Sequence, residues 1–266
     1  MHLRSLTLFC KLIALSILLF FFQSKLFCQA NKENSTVSKI QTEFSTKIKH
    51  QFARIDSLRF HDDDSMDLEN DRLQKIIDSY KFYLFDFPDT LDFDFLYVAK
   101  SADKQLILVS WDTRMGGTMI EFATMAIFRT GNGTKTLMIK DEESGEMQNT
   151  YMHYNEIHSI NCADGTKIYL AWGNGQGSTS LPWQELRAFK IRNGELFQPR
   201  IFPKSSAVVS VTFDLKKFND NERVPTIKVK DKGRKIEVPI SRGDDSFSGK
   251  YRIYAFNGKT FVQTSK

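Results

Sequence analysis

Six short turn signals constrain what this chain can fold into. Ala102-Asp103-Lys104, Gly131-Asn132-Gly133, Asp164-Gly165, Asn193-Gly194, Lys232-Gly233 and Asn257-Gly258 each lie between two runs of strand character. Glycine, asparagine and aspartate tolerate the left-handed backbone of tight turns, so each signal predicts an antiparallel hairpin. The signals recur about every thirty residues, with one longer and one shorter interval, a rhythm expected of a meander built from similar units. Side-chain alternation agrees with this. Val209, Val211, Phe213 and Leu215 face one way, and Val208, Ser210, Thr212 and Asp214 the other. Ile227 and Val229 are answered across Asp231-Lys232-Gly233 by Ile236, Val238 and Ile240. Phe85-Asp86-Phe87 and Leu91-Asp92-Phe93-Asp94-Phe95 also alternate, which predicts strands with one wet face. Ile168, Leu170 and Trp172 interleave with Tyr169 and Ala171, so that strand is apolar on both faces and suits the centre of stacked sheets. The expectation for 81–266 is a mainly β domain, an antiparallel hairpin meander closed as a propeller-like array, a barrel or a sandwich.

The period is different nearer the N-terminus. Val37, Ile40, Phe44, Ile48, Phe52, Ile55 and Leu58 recur at three and four residues, one stripe of an amphipathic helix. A second helix is expected from Met66 to Tyr80, with His61-Asp62-Asp63-Asp64-Ser65 as the polar break that caps it. These form a helical segment over 31–80. Residues 1–30 read as a secretory signal peptide: Arg4 and Lys11 precede the apolar run Leu12 to Phe22, and Cys28-Gln29-Ala30 offers small residues for cleavage. The run is shorter than the roughly 20 residues a membrane span needs. The protein is therefore expected to be secreted or periplasmic, with no membrane span once cut after Ala30.

Cleavage there removes Arg4, Lys11 and Lys25 from 37 basic residues, leaving 34 against 32 acidic ones. A near-neutral chain is not a nucleic-acid binder, which concentrates positive charge. Cys10 and Cys28 go with the signal, so Cys162 is the one cysteine of the exported chain and an intrachain disulfide is excluded. A single cysteine beside the turn at Asp164-Gly165 reads as a small packing residue rather than a nucleophile. The exported chain has to be held by its core, and its length and 23 phenylalanines allow one.

Motifs with chemical content are few. His153 and His158 flank Glu156, but zinc proteases space their histidines four apart on a helix, and five apart on a regular strand are opposite faces. Asp62, Asp63 and Asp64, then Asp86, Asp89, Asp92 and Asp94, could offer oxygens to calcium. The EF-hand order fails, with Met66 and Leu96 where further ligands belong, so no cofactor is expected. A Gly-x-Ser-x-Gly elbow is missing, and Arg242-Gly243-Asp244 is too short to carry weight. The stretch Trp172 to Trp183, WGNGQGSTSLPW, reads first as a long surface connection with its tryptophans packed into the core; the functional alternative stacks them on a sugar face while Asn174, Gln176, Ser178 and Thr179 bond its hydroxyls. Trp111-Asp112-Thr113 before Gly116-Gly117 is a second turn at a strand end. Candidate ligand-binding residues are thus Trp111, Asp112, Trp172, Asn174, Gln176 and Trp183.

Ser110-Trp111-Asp112-Thr113 with Gly116-Gly117-Thr118-Met119, the Gly173 to Ser178 stretch and the closing Tyr254-Ala255-Phe256-Asn257-Gly258-Lys259 resemble a group of uncharacterised exported bacterial proteins. The ending is also similar to the last hairpin of propeller-like proteins of the FG-GAP type. The resemblance implies export and a β fold, and supplies no catalytic residues. The expected function is a non-catalytic binding or interaction module for an extracytoplasmic ligand, a glycan or a protein. The alternatives are a secreted hydrolase using carboxylates such as Asp112, Glu121 or Glu185, and a structural envelope component whose N-terminal helix docks on a partner.

Overall fold

The computed structural model describes residues 36–59, 61–88, 93–141, 148–149, 151–219 and 222–264. The expected signal peptide, and with it Asp89, Leu91 and Asp92, lie outside these residues. The chain divides into two compact units, residues 1–46 and 47–266. Helix α1 covers residues 36–58. Within the first unit the Thr42 and Thr46 hydroxyls donate to the carbonyls of Ser38 and Thr42, each at 2.9 Å, a local way for a helical threonine to satisfy its side chain.

In the second unit Ile48, Phe52 and Ile55 of α1 are buried, so this part of the stripe is covered by the protein itself and is not free to dock a partner. Helix α2, Asp63–Ser79, starts at Asp62, whose Oδ1 accepts from the Ser65 N–H at 3.0 Å. The two helices are tied by Glu69, which accepts from Gln51 Nε2 (2.7 Å), Arg54 Nη2 (2.6 Å) and Arg72. Burial opposes the Glu69 charge, but the hydrogen bonds from Gln51 and Arg54 outweigh it and hold its carboxyl below the usual range. The segment after α2 departs from expectation. Phe85-Asp86-Phe87 is not a strand: Leu84 N–H donates to Tyr80 O and Phe87 N–H to Tyr83 O, continuing helical turns that bury Leu84, Phe85 and Phe87. Here three apolar anchors close in sequence outweighed the two-residue alternation.

The β strands form three antiparallel sheets. The first holds β1 (Leu96–Lys100), β2 (Leu106–Asp112), β3 (Phe122–Thr130), β4 (Gly133–Asp141) and β5 (Gln148–Asn149) in chain order. The second holds β6 (Met152–Asn161), β7 (Lys167–Gln176) and β8 (Pro182–Arg192); β9 (Glu195–Phe197) and β10 (Val208–Thr212) both pair with β8. The third holds β11 (Lys228–Lys230), β12 (Lys235–Ser241), β13 (Phe247–Phe256) and β14 (Phe261–Gln263). All six turn signals fall in hairpin turns, and no sheet closes into a barrel among the described residues.

The second sheet is the middle layer. Ile168 and Leu170 of β7 join Leu186, Ala188, Ile236, Val238, Tyr254 and Phe256 in one core, while Tyr169 and Ala171 join Leu108, Ala126, Phe128, Tyr154 and Phe189 in another. The third sheet covers one face of β7 and the first sheet the other. The outer face of the first sheet carries the helices: Trp111 Nε1 donates to Asn70 Oδ1 at 3.1 Å and Thr136 Oγ1 to Asp78 Oδ1 at 2.8 Å. The first and second sheets are also joined by Asp103 in the β1–β2 turn, which accepts from Lys167 Nζ (2.6 Å) and Tyr169 Oη (3.1 Å).

A chain of polar groups runs through this core. Glu185 accepts from Tyr154 Oη at 2.8 Å and from Arg187 Nε at 2.6 Å, and Arg187 Nη1 donates to Gln198 Oε1 at 2.8 Å. The Arg187 and Glu185 side chains are 3% and 8% exposed. Breaking one partner of such a buried pair leaves the other charge without compensation. Glu185→Ala is predicted to cost about 3–5 kcal/mol in denaturant unfolding, and Glu185→Leu with Arg187→Met much less; equal losses for both would contradict the pairing.

Candidate functional site

Antiparallel pairing gathers several of the sequence candidates at one end of the first two sheets. Asp112 pairs with Phe122, Met152 with Gly175 and Gln176 with Pro182. Gln176 Nε2 reaches Thr118 O at 3.5 Å, linking the β7–β8 turn to the 113–121 connection. Trp111 is 1% exposed, with its indole N–H given to Asn70, so it serves the packing of helix on sheet. Asp112 folds back on Arg114, accepting from its backbone N–H at 2.7 Å and from Nη1 at 3.0 Å. Arg114 also bonds Asp56 at 2.8 Å.

The two tryptophans pack against cores on opposite faces and do not form a shared sugar platform. The stretch from Trp172 is strand as far as Gln176, and the connection proper is residues 177–181. Trp172 pairs with Leu186 and Trp183 with Gly175. Residues 172 and 175 differ by an odd number along one strand, so their side chains leave opposite faces. Trp172 packs beside the core shared with the third sheet, Trp183 beside the core shared with the first. The glycines explain why this strand reads as a loop: a Cβ on Gly175 would lie 2.4 Å from the Trp183 ring and 2.6 Å from Tyr151 O. Glycine is needed to seat an indole, not to grip an anion.

Asn174 lies opposite His153 across the β6–β7 pair. His153 stacks on Tyr97 (ring centroids 4.0 Å) and tilts against Phe122 (4.8 Å), with Nδ1 buried and without a hydrogen-bond partner. A bulge between Tyr154 and Glu156 shifts the register, so His153 and His158 face Asn174 and Leu170, two positions of the same parity on β7. The opposite-face expectation for a regular strand is thus cancelled by one extra residue. The two histidines still serve different places: His158 Nε2 lies 3.2 Å from Glu156 Oε2, away from the Tyr97 stack. Among the described residues no group of three His, Cys, Asp or Glu is placed to hold a metal. Cys162 is half-buried against the core shared with the third sheet.

One shallow recess surrounds Trp172, a ligand-binding candidate of the sequence. A groove of about 310 Å³ is bounded by Glu156, His158 and Trp172 on the second sheet and by residues 226–230 at the edge of the third. Trp172 is half-buried, and its Nε1 is buried without a partner. Buried donors are nearly always satisfied, so this indole N–H stands out among the groups around the groove. Sequence reasoning found Trp172 but missed His158, Glu156 and β11 as the surrounding walls. Only the docking of the third sheet on the second brings them together. Comparison with protein-family models, curated proteins and solved structures finds no match for this chain.

Burial lowers the His153 pKa to about 4. The unfolded chain, with an ordinary histidine near 6.5, binds the proton first, so stability is full above pH 6.5 and falls as pH drops toward 4. Between pH 7.5 and 4.5 the loss from this residue is predicted at about 2 kcal/mol. His153→Phe should flatten that part of the curve; an unchanged slope in the variant would assign the effect elsewhere.

Proposed function

We propose that this is an exported, non-catalytic binding protein whose ligand occupies the Trp172 groove between the second and third sheets. The observation that carries the reading is Trp172 itself, which lines that groove and holds a buried indole N–H without a partner. An aromatic wall with a few convergent polar groups is the usual make-up of a ligand recess, and here Glu156 and His158 stand beside the indole. Export rests on the residues of the N-terminus; among the described residues no helix is long and apolar enough to cross a membrane. The hydrolase alternative is less well supported, because Glu185 is occupied by Tyr154 and Arg187 and Asp112 by Arg114.

Thermal unfolding of the purified protein against glycans, peptides and divalent metals tests this. A ligand at a hundred times its dissociation constant adds about 2.7 kcal/mol, and about 2–4 °C of Tm accompanies each kcal/mol at this size. Trp172→Phe keeps a ring but removes the donor, and is predicted to weaken the stabilising ligand about tenfold, the value of one hydrogen bond in a desolvated site. A ligand that stabilises wild type, Trp172→Phe and Trp172→Ala equally would place binding elsewhere.

A further inference from the structure

We infer that the Trp172 groove receives an extended acidic peptide segment, which adds as a strand to the free edge of β11. The inference rests on the binding reading above and names the class of ligand. β11 is the end strand of the third sheet and pairs with β12 alone. Five consecutive residues, 226–230, border the groove. A run without gaps means that the strand presents its backbone edge there, since side chains alone would contribute every second residue.

The start of this edge already has a partner of peptide-like chemistry. The buried Gln184 amide accepts from the Ile227 N–H at 2.9 Å and donates to Pro225 O at 2.9 Å, the pair of bonds that a neighbouring strand would make. Donor and acceptor of one strand residue point to the same side, and every second residue repeats it. The Ile227 carbonyl and the Val229 N–H and carbonyl therefore continue the row that Gln184 begins. Among the described residues no backbone group pairs with them. Strand addition to such an edge supplies backbone bonds, while alternate side chains supply selectivity.

Charge selects the occupant. The β11–β12 hairpin carries Lys228, Lys230, Lys232, Arg234 and Lys235 against two acids, Asp231 and Glu237. Glu237 takes Lys230 (2.8 Å) and Lys235 (3.3 Å), while Lys228 lies over the Tyr251 ring at 4.5 Å. Lys228 and Lys230 share one face of β11; Val229 packs on the opposite one, against the core. An added strand would thus meet lysines on its outer face and Val229 with Trp172 on its inner face. Opposite charges directly across a strand pair attract, so the fitting segment alternates acidic and apolar residues, and a backbone carbonyl or side-chain oxygen of it accepts from the Trp172 indole.

The test is titration of the purified protein with a capped hexapeptide alternating glutamate and valine, followed by calorimetry and tryptophan fluorescence. Two control peptides are used, one with alternate backbone nitrogens methylated and one with lysine in place of glutamate. The expected result is one-to-one binding of the acidic peptide, at least tenfold weaker for either control, for exposed Lys228→Glu and for Trp172→Phe. The circular dichroism of the variants should match wild type. Failure of the acidic peptide to bind at millimolar concentration overturns the inference, as does equal binding of the methylated peptide. Self-association through β11 that excludes the peptide also overturns it. An acidic oligosaccharide that binds in the peptide's stead, with loss in Trp172→Phe, overturns the peptide inference and leaves the binding reading standing. If no ligand of any class is sensitive to Trp172, both fall.

Discussion

A strand that is apolar on both faces cannot be left with either face in water, and that demand on β7 organises the second unit. Ile168 and Leu170 on one side, Tyr169 and Ala171 on the other, all lie at 3% exposure or less. Burying side chains of this size is worth about 1.5–3 kcal/mol for each large one, so both neighbouring sheets are drawn onto the second. Neither outer sheet can replace the other, because each covers a different set of side chains. The helices then become necessary in turn. Once the inner face of the first sheet is spent on the second, Ile107, Val109 and Trp111 on its outer face need a cover of their own, and the helical region supplies it through Asn70, Asp78 and Phe85.

The polar chain from Tyr154 through Glu185 and Arg187 to Gln198 sits inside this stack at a cost in desolvation. Its geometry gives it a use. Tyr154 belongs to β6, Glu185 and Arg187 to β8, and Gln198 to the chain leaving β9, so the bonds span three parts of the second sheet and reject a register slip that purely apolar contacts would tolerate. A one-residue slip would turn Glu185 and Arg187 to the opposite face of β8. Gln184 does the matching work on that opposite face, holding residues 225 and 227 and so setting where the third sheet begins. Adjacent residues of one strand thus fix the register within its own sheet and the place where the third sheet begins.

How much of this was readable beforehand depends on the range of the interaction concerned. Asp164-Gly165 and Asn193-Gly194 signal hairpins because a left-handed backbone preference is a property of the residues themselves. The two-faced strand at 168–172 is legible for a similar reason, since hydrophobic period needs no partner to be visible. Phe85-Asp86-Phe87 misleads because three residues carry too short an alternation to compete with a helix just ended. The Gly173–Gly177 stretch misleads differently: Gly175 and Gly177 answer to the Trp183 ring and Gly173 to the backbone of His153, neighbours set by pairing register. The bulge at Asn155 likewise re-aims His153 and His158 without a local signature. The Trp172 groove was half legible, its aromatic wall visible in sequence and its opposite wall supplied by a strand more than fifty residues later.

Stability and binding in this account meet at the middle sheet, whose interior strands are locked by two cores while β11, at the edge of the third sheet, keeps an open row of backbone groups. Amide hydrogen exchange on the purified protein reads that difference directly. Exchange is predicted to be slowest at Leu170, Ala171, Leu186 and Ala188, near the limit set by global unfolding, and fast at the Val229 amide. Fast exchange through β7, or a Val229 amide as protected as those of β7, would contradict the middle-layer architecture and the open edge respectively.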